Sequence, residues 1–493
     1  MEAHSEDPLN PETKLEHGGL ILERAGDEND GPSPAKHEEK DEDDLGYGFT
    51  ASGTSNVQLN LRASYNGESP RLIASAAPYT SSNVVQPQVQ KSLVWSPDGS
   101  CLITHSYDNA LRTFTVLNNL AYDLMADPAI APLSTLQTGD NITSFAVSPY
   151  FHISDPSTTC IFHSTYDQPV QCRNVFEPDK VLASYPLFNP MTEEPMRVYC
   201  MAFSRDGRHL LCGSSSHIAT FDLTRPGEEP VSLFQTAPGR KAQRRHQLAL
   251  LRGKVSSMSM SADGLLAVGT FARNIGIFAD DGTGECITSF SLESDEPGRS
   301  DSGVSMVRWC PGGSYLYAAE LNSDVIYMYD IRNTGRCLGK LTGRQAKTAQ
   351  RVDFDIAPRT DVAGNWDGYN IVSGGTDGIV RVWETPHEKE GDIKHTHEWQ
   401  AHEETVSGVA VNPWYPMLAT SAGQWRWSDE EEYASESDSD GETDGSGSSC
   451  GSSSGQSEAS GPESMISSHT LSDPSQSRSA AGAAMGWMKI WEA

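Results

Sequence analysis

Short stretches in which apolar and polar residues alternate recur along this chain, and seven of them share one shape. They are LRTFTV (111–116), VQCRNV (170–175), IATFDL (218–223), IGIFAD (275–280), IYMYDI (326–331), VRVWET (380–385) and MKIWEA (488–493). A period of two is that of a β-strand, whose successive side chains leave opposite faces. In the last stretch Met488, Ile490 and Glu492 point one way and Lys489 and Trp491 the other.

Upstream of each lies a second recurring feature, an apolar strand that runs into a turn. The turns are WSPDG (95–99), VSPYF (147–151), FSRDG (203–207), MSADG (260–264), WCPGG (309–313), IAPRT (356–360) and VNPWY (411–415). Asp-Gly supplies the positive φ of a tight reversal, and Pro presets its neighbour. Further strands follow the turns, as in SCLITHSY (100–107) and HLLCGSSS (209–216). Units of roughly 46–57 residues with at least three strands each are what propeller blades look like in sequence. The chain is therefore predicted to be all-β, a β-propeller of seven blades, with blade two (144–185) the least regular.

In blade seven only Ala493 follows the third strand, so its outer strand is expected from the other end of the chain. Arg71–Ala77, within PRLIASAAPY (70–79), has the length and composition to pair beside Met488–Glu492. Closing the ring in this way removes two open sheet edges.

Composition refines this picture. The 43 Gly and 28 Pro residues suit many short strands and turns. Of the net charge of −31, residues 1–50 hold 15 acids and 4 bases and residues 428–480 hold 12 acids and 1 base, about −11 each. Residues 1–57 therefore read as a disordered acidic tail, 58–493 as the propeller, and 428–480 as a disordered Ser-rich insertion within the last blade. Ser435, Ser437 and Ser439, each followed by an acid, are candidate phosphorylation sites. No apolar run is long enough to span a bilayer and no secretory leader is read, so no membrane partner is expected. Nine cysteines without metal spacing suggest a reducing compartment.

Candidate chemistry is sparse. Asp108, Asp167, Asp324 and Asp377, with Asn274 and His217, precede the third strands, and His402 sits in AHEET. Residues that recur with the period of the fold read as a structural hydrogen-bond network. No phosphate loop, dinucleotide fingerprint, zinc-protease motif or nucleophile elbow is present, so no catalytic residue, cofactor or small-molecule substrate is expected. His395, His397 and His402 are read as a blade link rather than a metal site.

Arg240, Lys241, Arg244 and Arg245 form a dense basic cluster, with Arg252 and Lys254 nearby. Lys340, Arg344, Lys347 and Arg351 form a second. Placed on connections between blades, the two sets can face one side of a disc and track a nucleic-acid backbone. Trp425 and Trp427 suit either base stacking or core packing.

Several segments carry a family resemblance. KSLVWSPDGSCLITHSYDNALRTF (91–114), TRPG (224–227), GRQAKTAQRVDFDIAP (343–358), NPWYPMLATSAGQ (412–424) with the acidic break after it, and PRLIASA (70–76) are similar to the telomerase Cajal body protein family of WD-repeat proteins. The resemblance implies a non-catalytic WD40 propeller. Such a protein binds a short loop motif of small nuclear or Cajal-body RNAs, in some lineages telomerase RNA, and directs those ribonucleoproteins within the nucleus. In that role Arg240, Lys241, Arg244, Arg245, Arg344, Lys347 and Arg351 are the expected phosphate contacts, beside ribonucleoprotein partners. A cytoplasmic pool stays open. The alternative is a WD40 protein-interaction scaffold, a substrate receptor or chromatin-associated adaptor, with no RNA ligand.

Overall fold

The computed structural model describes residues 70–76, 80–81, 84–85, 89–116, 129–166, 168–236, 251–293, 303–333, 336–360, 366–423 and 488–492. The acidic tail, the insertion with Ser435, Ser437 and Ser439, and both Trp425 and Trp427 lie outside these residues.

The described residues build seven blade sheets around a ring, each with four antiparallel strands of the blade pattern, and a separate two-stranded ribbon of Thr80–Ser81 and Val84–Val85. Blade one comprises Gln90–Trp95, Cys101–Ser106, Ala110–Thr115 and Ser134–Gln137. Blade two comprises Ser144–Val147, Cys160–Ser164, Val170–Asn174 and Val181–Tyr185. Blade three runs from Cys200–Phe203 to Ser232–Gln235, blade four from Val255–Met260 to Cys286–Ser291, and blade five from Val304–Trp309 to Cys337–Thr342. Blade six runs from Phe354–Thr360 to His397–Gln400. Blade seven joins Val406–Val411, Met417–Ala422 and Met488–Glu492 to Leu72–Ala76.

That last pairing is antiparallel, with Ala74 opposite Ile490 and Ala76 opposite Met488. The Glu492 amide donates to the Arg71 carbonyl (2.8 Å), extending the ladder by one step. The first strand of the ring therefore completes the last sheet.

Both faces of each middle strand are buried, because each blade packs on two neighbours. The core divides accordingly into seven apolar clusters, one for each junction of successive blades. The cluster that shuts the ring brings Leu93, Trp95 and Phe114 of blade one against Met417, Met488 and Ile490 of blade seven. Trp491, one residue out of phase, packs on the opposite side with Val380, Val382 and Trp399 of blade six. Period-two alternation thus sorts side chains between two neighbours rather than between core and water.

Hydrogen bonds cross the same junctions. The Trp95 indole donates to the Ala410 carbonyl (3.1 Å) and the Trp309 indole to the Ser259 carbonyl (3.0 Å), each reaching back one blade. At the WSPDG turn Gly99 has φ of +68°, and a Cβ there would lie 2.7 Å from Asn412 Oδ1 of blade seven. Glycine is therefore required twice over, for conformation and for space.

Two details depart from the sequence reading. IAPRT is not a turn: Phe354–Thr360 stays in the ladder, with Pro358 opposite Tyr369 and an irregularity between Pro358 and Thr360. Proline lacks the amide for a regular ladder and is accommodated where pairing is disturbed. Blade five also carries a fifth strand, Gly391–Lys394, contributed by blade six and paired in parallel with Cys337–Thr342. It covers an outer edge that would otherwise be open.

Candidate nucleic-acid interface

Strand direction alternates within each blade, which sorts the connections by end. Turns between second and third strands, and links from one blade to the next, share one end of the ring; the remaining hairpins share the other. The basic residues of both sets belong to the blade-to-blade links except Lys340, which lies within the strand Cys337–Thr342, its Nζ 3.7 Å from Glu293 Oε1.

Of the first set, Arg240, Lys241, Arg244 and Arg245 lie outside the described residues. The residues that flank their segment are tied together, the Leu251 amide donating to the Thr236 carbonyl (3.1 Å). The two flanks therefore meet at that end of the ring. Arg252 is exposed and Lys254 half-buried beside it.

The second set divides. Lys347 is exposed and sits 3.9 Å from Asp324 Oδ2. Arg351 is half-buried and donates from Nη2 to the Ser256 carbonyl of blade four (3.0 Å), two blades away. Beneath the larger effect of burial, its charge also acts to lower the pKa of His105 and Tyr107 of blade one and of Cys200 of blade three. Arg344 is not on the surface: it is only 2% exposed. Its guanidinium donates to Ser373 Oγ (3.2 Å) and the Ser323 carbonyl (3.1 Å), and burial pushes its pKa down to about 10. Arg344 ties blades five and six together, and no phosphate reaches it there.

The recurring Asp residues hold blades together. Asp108 pairs with Arg112, itself 5% exposed, and accepts from Ser106. Burial alone would raise the Asp108 pKa, but the hydrogen bonds from Arg112 and Ser106 outweigh it and hold the carboxyl below its usual range. Asp377 holds Arg381 through two bonds of 3.1 and 2.7 Å. Asp324 accepts from the Ala346 amide (2.6 Å). His402 Nε2 and Thr420 Oγ1 are 2.8 Å apart, and the Trp491 indole donates to that same hydroxyl (2.9 Å). Asp167 lies outside the described residues. Among the described residues no cluster of three His, Cys, Asp or Glu side chains is arranged for a metal, and no helix is long and apolar enough to cross a membrane.

The sequence reading missed a set of tyrosines at the end that carries the basic links. Lys91 Nζ stands 4.6 Å from the ring centre of Tyr107, the Arg197 guanidinium 4.2 Å from Tyr166, and Lys254 Nζ 5.8 Å from Tyr199. These pairs follow one another across blades one to four. Each is worth about 0.5–1 kcal/mol, so their interest lies in arrangement rather than stability. Interleaved rings and cations are what unpaired nucleic acid requires, stacking for bases and charge for the backbone. A signal existed: HSYD (105–108) and HSTYD (163–167) put Tyr at the same place in two consecutive blades.

His105 and His163 lie beneath this rim, 5% and 2% exposed. Burial and then the Arg173 charge push His163 down to about 4; burial, Lys91 and Arg351 hold His105 well below its usual value. Both rings are neutral in the folded chain, and below about pH 6.5 the unfolded chain binds more protons. Stability is therefore present above that pH and lost as pH falls toward 4. For His163 alone the loss is about 3 kcal/mol. Urea unfolding at pH 7 and 4.5 is expected to show a fall in midpoint that His163→Gln reduces; an identical fall in the variant would contradict the assignment.

These features define a class, the WD-repeat β-propeller. The family model for the WD domain, G-beta repeat, matches residues 191–222 and 336–384. The second match spans the outer strand of blade five and three strands of blade six, the phase in which such repeats overlap successive blades.

Within that class the chain is similar to telomerase Cajal body protein 1 of Homo sapiens, 26% identical over 355 residues, 71% of this chain and 59% of that protein. The Drosophila melanogaster homologue is 26% identical over 365 residues, 71% of this chain and 60% of its own. Guanine nucleotide-binding protein negative regulator 1 of Schizosaccharomyces pombe is 28% identical over 326 residues, 65% of this chain and 75% of that protein. The resemblance to the Cajal body family read from the sequence thus stands, while the chain spans about three-fifths of the length of those Cajal body relatives.

Proposed function

We propose that this protein is a non-enzymatic scaffold that binds small nuclear or Cajal-body RNA at the end of the ring carrying the basic links, and directs ribonucleoprotein assembly in the nucleus. The observation that carries the reading is the run of Tyr107–Lys91, Tyr166–Arg197 and Tyr199–Lys254 pairs. Arg240, Lys241, Arg244 and Arg245, whose flanking residues Thr236 and Leu251 meet at the same end, would supply phosphate contacts, together with Lys347 and Arg351. The similarity to proteins named for the Cajal body supports a nuclear setting and ribonucleoprotein partners. A non-catalytic role is supported by the use of Asp108, Asp377 and His402 as blade ties. A second reading, a protein-interaction scaffold, draws on the similarity to a relative named as a regulator of a guanine nucleotide-binding protein.

Counterion release separates them. Each phosphate contact to a single strand contributes about 0.7 to the slope of log K against log salt. Replacing Arg240, Lys241, Arg244 and Arg245 by Ala is expected to lower that slope by up to about 3 for a structured RNA with an unpaired loop. An unchanged slope would sink the assignment of these four residues.

A further inference from the structure

The turn between second and third strands lies at the end of the ring that carries the basic links, and its first residue recurs in a fixed backbone setting. In blade one that residue is Tyr107, which follows Cys101–Ser106 and whose amide donates to the carbonyl of Val89 (2.9 Å), just ahead of the first strand. In blade four it is Phe271, which follows Leu266–Thr270 and donates to the carbonyl of Lys254 (3.0 Å), again just ahead of the first strand. The two residues are equivalents, three blades apart. Between them, blade two places Tyr166 one residue later in the same turn, and in blade three the Tyr199 hydroxyl stands 3.5 Å from Ser215 Oγ of that turn. An aromatic ring therefore marks this turn in each of blades one to four.

Phe271 differs from the tyrosines in its surroundings. Tyr107, Tyr166 and Tyr199 are half-buried, each beneath a cation, whereas Phe271 is 39% exposed and no aromatic or cationic group of the described residues covers its ring. A lone exposed apolar side chain is ordinary on a protein surface. One that repeats an equivalent position beside a run of rings and cations calls for a ligand-based account.

Two features make Phe271 the end of that run. The same position holds Leu321 in blade five and Gly374 in blade six, neither of which offers a ring. Residues 293–302, the link into blade five, carry Glu293, Asp295, Glu296 and Asp301 against Arg299 alone, a balance that repels a phosphate backbone. Arg273 does not offset it, because its guanidinium pairs with the buried Glu320 at 2.7 Å.

We infer that Phe271 is a base-stacking residue for unpaired RNA and the point at which the bound strand leaves the rim, so that bases lie across blades one to four and not across five and six. This rests on the RNA reading above and deepens it, since it gives the run a terminus and adds a ring that the cation pairs do not include. A π-face accepts any base, so the residue adds affinity without selecting sequence.

The test is fluorescence anisotropy of the full chain with single-stranded oligouridylate across a salt series. Phe271→Leu keeps an apolar side chain of similar bulk and removes only the ring. It is expected to weaken binding about fivefold or more, the scale of one stacked base, with the salt slope unchanged because no phosphate contact is lost. Phe271→Tyr restores a ring and is expected to bind within about twofold of the wild type. Phe176→Ala, 45% exposed in a hairpin at the opposite end, is expected to change nothing. A Leu variant that binds like the wild type, or a Phe176→Ala loss as large as that of Phe271→Leu, would overturn the assignment and, where Tyr107→Ala still weakens binding, leave the RNA reading standing. A wild type that does not bind would overturn both.

Discussion

A chain that stops before Met485 is expected to lose its cooperative thermal transition, although only nine residues are gone. Met488 and Ile490 are wholly buried and Trp491 is 5% exposed, and they pack on opposite sides, against blades one and six. Truncating Ile490 to Ala should cost about 2–5 kcal/mol and Trp491 to Ala about 3–5 kcal/mol. Together these rival the whole stability of a domain, about 5–15 kcal/mol. Deletion goes further: it takes from Leu72–Ala76 its antiparallel strand partner, leaving the bridge of Ser75 to Ala129, and exposes the edge of Met417–Ala422. By contrast, Glu492→Ala removes an exposed ion pair with Arg71 at 3.7 Å and should move stability by less than about 1 kcal/mol. Circular dichroism melts of the parent, the deleted chain and the three point variants give the comparison. A deleted chain that melts cooperatively at the parental temperature would show that the ring does not depend on this strand.

Much of the architecture was legible because each blade repeats two signals, an alternating strand and a Pro, Asp or Gly turn, and the repeat survives local variation. The missing outer strand of blade seven could be deduced because a propeller with an open sheet would expose edges, and PRLIASA alone stood spare near the other end. Pro358 misled for a local reason: proline usually ends strands, and only the pairing of Thr360 with Trp366 shows that this one lies inside a ladder. Gly391–Lys394 was invisible because four largely polar residues bear no strand period, and their pairing is with another blade.

Within the candidate site, charge counting found the basic links but could not tell Arg344 from Lys347. Three positions apart, one is locked between Ser373 and Ser323 and the other is 66% exposed along its side chain. The distinction depends on which neighbours converge, which sequence spacing does not record. Tyr107, Tyr166 and Tyr199 escaped for the same reason, since a tyrosine in a strand-rich chain reads first as core. Their partnership with Lys91, Arg197 and Lys254 comes from segments as much as 55 residues away.

The other large effect expected is in what the protein captures inside a cell. If the rim of tyrosines and cations takes unpaired RNA, capture will concentrate on molecules that present an unpaired loop. Specific sites commonly outrank non-specific ones by factors of about 10³ or more in the better-studied case of DNA, so the enrichment should be unmistakable. A protein-only scaffold would instead recover neighbouring proteins with an RNA background no different from an unrelated propeller. Ultraviolet crosslinking of the full chain in cells, followed by sequencing of the bound RNA, tests this most directly. The expected result is a small set of nuclear RNAs with crosslinks at one unpaired loop, reduced when Arg240, Lys241, Arg244 and Arg245 are replaced by Ala. Recovery of proteins alone, with RNA at background, would contradict the account.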